Sequence, residues 1–209
     1  MKNKKQFETN AIRTQAAQSD NREHAVPVYF TANYTCEDAE QRRAIYPDEN
    51  EGNIYSRFTN PNAKELVDKM CLLEGAEAGY ATASGMSAIF ASFMALLKTG
   101  DHILSSSSIF GSTHTMLSKI LPKYGIEHTY ADMNQPEMWE SLIQDNTKMI
   151  FVETPSNPGL DIIDLEWLGK LANKHKLILN IDNCFATPFI QRPIEFGAHL
   201  VTHSATKYI

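Results

Sequence analysis

Lys207 closes the string Ser204-Ala205-Thr206-Lys207. An amine in a crowded, partly desolvated pocket loses proton affinity and becomes a nucleophile toward carbonyls. The hydroxyls of Ser204 and Thr206 suit a phosphate held beside it. Asp182 ends the apolar run Leu177-Ile178-Leu179-Asn180-Ile181-Asp182. A carboxylate there is costly without a partner, so it reads as a helix cap, a salt-bridge member or the counter-ion of a protonated ring nitrogen. Ser84-Gly85-Met86 opens a predicted helix. The free N–H groups and positive dipole end of a helix start suit an anion, and a glycine there admits close approach. Glu153-Thr154-Pro155-Ser156-Asn157-Pro158 adds an amide at Asn157. Singly, each has a plain structural reading: many Ser-Gly pairs merely start helices, and a lysine after a strand is usually solvated.

These groups need a scaffold that brings them together. Residues 1–60 are polar and lack clear periodicity, which predicts an extended arm with short turns and no core of its own. Residues 64–74 read as a helix capped by Gly75, with Leu66, Val67, Met70 and Leu73 on one face. Residues 79–83 read as a short buried strand, and Ser84 as the cap of a helix over 85–98. Further strands are predicted at 102–106, 126–130, 148–152, 177–182 and 199–203. Helices are predicted at 112–123, at 136–143 and from Asp164 to about residue 175. This alternation predicts an α/β domain, a mostly parallel sheet with helices on both faces. Ligands of such sheets bind outside the carboxyl ends of the strands. Ser84-Gly85, Asn157, Asp182 and Lys207 all follow or end predicted strands, so they should open on one rim.

Composition removes other classes. The chain has 209 residues, with 19 Lys and Arg against 25 Asp and Glu, a formal charge of -6. That balance gives no general attraction to nucleic acid or anionic lipid. Three widely spaced cysteines, Cys36, Cys71 and Cys184, predict free thiols rather than a disulfide framework. The first residues lack the apolar core of a secretory signal, and the longest apolar run, 88–97, is far below the ~20 residues of a membrane span. The expectation is a soluble cytoplasmic protein. His199 and His203 lie on a predicted strand and do not share a face as helical metal ligands would, so no metal is expected. Trp139 and Trp167 fit helix faces and are expected in the core. The chain stops two residues after Lys207 with no closing helix, so a C-terminal part is expected beyond residue 209.

Taken together, the amine, carboxylate, helix start and hydroxyls match pyridoxal 5'-phosphate. Its phosphate needs N–H groups and hydroxyls, its aldehyde a lysine, and its pyridine nitrogen an acid. Ile54-Tyr55-Ser56-Arg57-Phe58-Thr59-Asn60-Pro61 and the four strings above resemble the trans-sulfuration branch of pyridoxal-phosphate enzymes, in order from about residue 20 to 209. The resemblance implies an aspartate-aminotransferase-like fold of type I. It implies an N-terminal arm, 1–60, that contacts a neighbouring subunit, and a cofactor-binding α/β domain over 61–209. Lys207 would hold the cofactor covalently and shuttle protons. Asp182 would pair with the pyridine nitrogen. Ser84, Gly85, Met86, Ser204 and Thr206 would bind the phosphate. Asn157 would lie near the cofactor hydroxyl and the substrate carboxylate. Tyr55 and Arg57 would reach the phosphate of a neighbouring subunit in a homodimer with shared sites, two of which make a tetramer. The substrate-carboxylate arginine is expected beyond residue 209. Members usually stack a tyrosine on the cofactor, and here Phe110-Gly111-Ser112-Thr113 supplies phenylalanine. That form resembles the homoserine-ester sulfhydrylases, which use an amino-acid substrate with sulfide or a thiol in methionine biosynthesis. A methionine or cystathionine γ-lyase, or a cystathionine γ-synthase, is the alternative. A non-catalytic cofactor-binding α/β protein is a remoter one.

Overall fold

The computed structural model describes residues 6–45 and 52–209. They fall into two compact units, Met1–Ala81 and Thr82–Ile209. The division lies after Ala81, so the helix that follows Asn60 groups with the N-terminal segment, where the sequence reading drew its boundary at residue 60.

In the first unit, α1 (Phe7–Ile12) and α2 (Ala39–Ile45) are short. The long element is α3 (Pro61–Glu74). Asn60 caps it by accepting the Asn62 N–H at 2.8 Å, Pro61 takes the first turn, and Gly75 at φ 77° ends it. These are strong local signals, because the cap satisfies an orphan donor and proline loses no bond there. The preceding chain is tied to α3 by polar groups. Glu65 accepts the Gln15 and Ala16 amides, both at 2.8 Å. Asn62 accepts the Tyr29 amide at 2.9 Å and donates to the Pro27 carbonyl at 2.8 Å. Val28 and Phe30 remain exposed.

The second unit is a five-stranded parallel sheet in the order β2-β1-β3-β4-β5. Its strands are β1 (His102–Ser106), β2 (Glu127–Ala131), β3 (Thr147–Glu153), β4 (Ile178–Asp182) and β5 (Leu200–Thr202). On one face, α4 (Gly85–Leu96) and the helical stretch opened by α5 (Gly111–Thr115) bury Ile89, Phe93, Met116, Leu117 and Leu121 against Ile103, Met149 and Phe151. On the other, α6 (Pro136–Trp139) and α7 (Leu165–His175) bury Trp139, Leu168 and Leu171 against Leu104, Ile150, Val152 and Leu179. Both faces of the sheet are therefore covered, which is why its strands read as apolar runs. Trp139 is fully buried, meets Trp167 edge-on at 6.0 Å and donates to the Asp132 carbonyl at 2.8 Å. The cysteines are free thiols. Among the described residues no helix is long and apolar enough to cross a membrane.

Two expectations are corrected. Residues 79–83 form no strand, and Tyr80 is 80% exposed. Apolar periodicity reports side chains, whereas a strand exists through a neighbour's ladder, and no strand pairs with this segment. The helix predicted over 112–123 is regular only to Thr115. It continues as a π turn, Met116–Ile120, and a 3-10 turn, Leu121–Tyr124. Pro122 has no N–H to give the α-helical ladder, so the last turns must re-pair.

Candidate active site

Because every strand is parallel, the carboxyl ends share one edge. The winding direction reverses between β1 and β3, and such a switch point opens a crevice. The chain places its carboxyl groups there. Register sets Glu153 beside Asp182, and Asp182 beside Thr202. Asp182 is 6% exposed, and its Oδ1 accepts the Cys184 amide at 3.1 Å. Burial pushes this carboxyl up from its usual range, against the pull of the Cys184 hydrogen bonds and of His203. The Thr202 hydroxyl is buried with no partner. A buried carboxyl flanked by an orphan hydroxyl fits a ligand that brings a cation and a polar edge.

Glu153 is 4% exposed and was given no role in the sequence reading. Its Oε2 accepts the Phe110 amide at 2.6 Å. Burial, then Asp182, push its carboxyl up to about 7, while the Phe110 and Asn157 amides and Lys207 pull it back. The signal that finds Asp182, a charge ending an apolar run, is present in Met149-Ile150-Phe151-Val152-Glu153 as well.

The candidate anion site is built from α4 and the segment after β5. The Ser84 hydroxyl accepts the Ser87 amide at 3.1 Å and so sets the helix start. The first amides of a helix have no carbonyl partner within it and are open to a ligand. Ser204 packs directly on this start: a Cβ at Gly85 would lie 2.6 Å from the Ser204 Cβ. Gly85 is thus the residue that lets a hydroxyl and the helix amides converge. Met86 turns back to the core side, where the Thr113 hydroxyl lies 3.9 Å from its sulfur. Gly85→Ala is expected to push Ser204 away and weaken pyridoxal 5'-phosphate binding roughly tenfold, as overpacking costs about 1–3 kcal/mol. Equilibrium titration of the cofactor, with a thermal melt as control, measures it, and unchanged affinity contradicts the cradle.

The remaining sequence candidates are placed as follows. Phe110 precedes α5 and is 41% exposed. Asn157 is half-buried in the turn after β3, where Ser156 donates to the Asp161 carboxylate at 3.1 Å. Thr206 and Lys207 are exposed, and the Lys207 amide donates to the Ser204 carbonyl at 3.1 Å. In the first unit, Tyr55 pairs with Asn33 in an antiparallel bridge. The exposed Arg57 guanidinium stacks 5.1 Å from the Tyr55 ring and 5.2 Å from the Phe58 ring. His199 is a structural acceptor, taking the Leu179 amide at 3.1 Å. Among the described residues no cluster of three or more His, Cys, Asp or Glu is placed to hold a metal ion.

Sheet order and rim define a doubly wound α/β domain, and solved structures of the type I pyridoxal-phosphate fold match this chain closely. A Campylobacter jejuni protein described as an O-acetylhomoserine (thiol)-lyase carries N'-pyridoxyl-lysine-5'-monophosphate. It matches with a TM-score of 0.91 and 36% identity over 97% of this chain and 50% of its own. Cystathionine gamma-lyase from Lactobacillus plantarum, complexed with L-serine, matches with a TM-score of 0.88 and 32% identity over 98% of this chain and 51% of its own. The family model for Cys/Met metabolism pyridoxal-phosphate-dependent enzymes matches residues 8–209, and the chain belongs to that family. O-succinylhomoserine sulfhydrylase of Pseudomonas aeruginosa is 41% identical over 97% of this chain and 50% of its own length. L-methionine gamma-lyase of Porphyromonas gingivalis is 38% identical over 97% and 51%. The chain thus spans about half the length of the curated relatives it matches.

Proposed function

We propose that this chain carries the cofactor half of an enzyme that exchanges the acyloxy group of an O-acyl-homoserine for sulfide, giving homocysteine and a free carboxylate. The observation that carries the reading is the buried Asp182 carboxyl on the rim that also holds the Gly85–Ser204 cradle and Lys207. The donor set fits pyridoxal 5'-phosphate. Gly85 and Met86 amides, with Ser84, Ser204 and Thr206 hydroxyls, would hold the phosphate. Asp182 would keep the ring nitrogen protonated, Phe110 would cover a ring face, and Asn157 would meet the ring hydroxyl. When bound, the cofactor supplies an electron-withdrawing ring that accommodates the charge left by loss of an α-proton.

Lys207 is the residue that moves protons. Its amine takes the proton from Cα, and Phe110, having no phenol, leaves it without help from that position. Loss of a Cβ proton lets the carboxylate leave Cγ with its bonding pair; hydrosulfide then bonds at Cγ, and protons return to Cβ and Cα to complete homocysteine. Cradle and carboxyl orient the reacting bonds, so much of the barrier reduction comes from positioning. Tyr55 and Arg57 would serve a neighbouring subunit's phosphate in a homodimer or tetramer, where a guanidinium binds a phosphate through paired donors.

A γ-lyase reading is favoured by the identity to methionine γ-lyases, in which water rather than sulfide completes the turnover. Purified protein given O-acetyl- or O-succinylhomoserine separates the two. Homocysteine that forms only with added sulfide is expected. Sulfide-independent release of a 2-oxo acid as the main product overturns the sulfhydrylase reading.

A further inference from the structure

Glu153 stands at the switch point, on the end of β3 beside β1. Its carboxyl accepts the Phe110 amide at 2.6 Å from the loop after β1. The Asn157 amide, in the loop after β3, also favours the ionised carboxyl. One side chain therefore anchors the loop after β1 from the root of the loop after β3, the two loops that flank the crevice. It lies beside Asp182 in register, and two adjacent buried carboxyls resist holding two negative charges. β4 supplies Asp182 and, just past it, the Cys184 thiol, which burial and Asp182 push far up so that it stays protonated. His203, after β5, faces Asp182, and Lys207 draws Glu153 toward ionisation. The loop after β1 offers an uncharged amide.

We propose that Glu153 is a positioning residue: ionised, it fixes the Phe110 and Asn157 loops, and a cation seated on Asp182 favours that ionised form. The inference rests on reading the rim as a pyridoxal-phosphate site. A protonated ring nitrogen neutralises Asp182, which removes the like charge that holds a proton on Glu153. Cofactor binding and proton loss are then linked. For a carboxyl with a lower pKa in the bound than in the free state, affinity falls as pH drops through the free value, here about 7.

The test measures the pyridoxal 5'-phosphate dissociation constant and the circular dichroism of the bound cofactor on both sides of that pH. Wild type, Glu153→Gln and Glu153→Asp are compared, with melts as a fold control. Glu153→Gln preserves shape and one acceptor but cannot ionise. It is expected to bind roughly tenfold more weakly on the alkaline side, to lose dichroic intensity and to respond less to pH than wild type. Glu153→Asp keeps the charge but is one methylene short, so it should keep the wild-type pH response while binding less tightly. Matching affinity, dichroism and pH response in wild type and Glu153→Gln would overturn the proposal, and so would a flattened response in Glu153→Asp. Wild type that binds no cofactor at Lys207 would instead overturn the reading of the site.

Discussion

Lys207→Ala is expected to lower turnover by roughly a thousandfold or more and to end covalent attachment of the cofactor. The reason is chemical, because the amine is asked to capture an aldehyde and then to carry protons from one carbon of the substrate. Alanine can do neither. Lys207→Arg keeps the positive charge, yet a guanidinium does not deprotonate in water and should fail as completely. The cofactor should still bind without covalent attachment, since the Gly85–Ser204 cradle and Asp182 are untouched. Steady-state assays with an O-acyl-homoserine and sulfide, together with cofactor content after gel filtration, measure both halves. Wild-type turnover in either variant would contradict the assignment.

Asp182→Asn should separate function from stability. With the cofactor bound, Asp182 faces a cationic nitrogen in a buried site. Removing one member of such a pair costs about 3–5 kcal/mol, which corresponds to a loss of roughly two to four orders of magnitude in activity. Without the cofactor the sign reverses. Burial raises the Asp182 carboxyl above its unfolded value. A carboxyl raised in this way contributes stability below the unfolded pKa and loses it as pH rises through the folded one. The cofactor-free wild type should therefore melt lower on the alkaline side, and Asp182→Asn should flatten that dependence. Melts against pH and turnover of the loaded protein give the two readouts. A variant that melts lower than wild type at alkaline pH without cofactor would show that Asp182 has a stabilising partner within the chain itself.

Much of the fold that positions the candidate site was legible in the sequence. The apolar runs of β1, β3 and β4 are continuous because helices cover both faces, and their polar ends are where the rim lies. Ser84-Gly85 announced a helix start through cap chemistry alone, with no tertiary help, whereas Asn60-Pro61, the cap and first turn of α3, was read as part of the arm. The segment at 79–83 misled for the opposite reason, as its pattern suits a strand but a strand is a property of two segments. Pro122 could have warned that α5 would not stay regular. Glu153 was passed over because its importance comes from register. Only the pairing of β3 with β4 brings it beside Asp182, and only the order of β1 and β3 brings the Phe110 amide to it. The surroundings of Lys207 were beyond local pattern altogether, since desolvation depends on whatever covers the amine.

Reduction of the cofactor-loaded protein with borohydride, followed by proteolysis and mass spectrometry, tests the whole account at its root. The expected result is a phosphopyridoxyl mass on the side chain of Lys207, absent from the Lys207→Ala protein. A stoichiometric adduct on a different lysine, or none at all after loading, would contradict it.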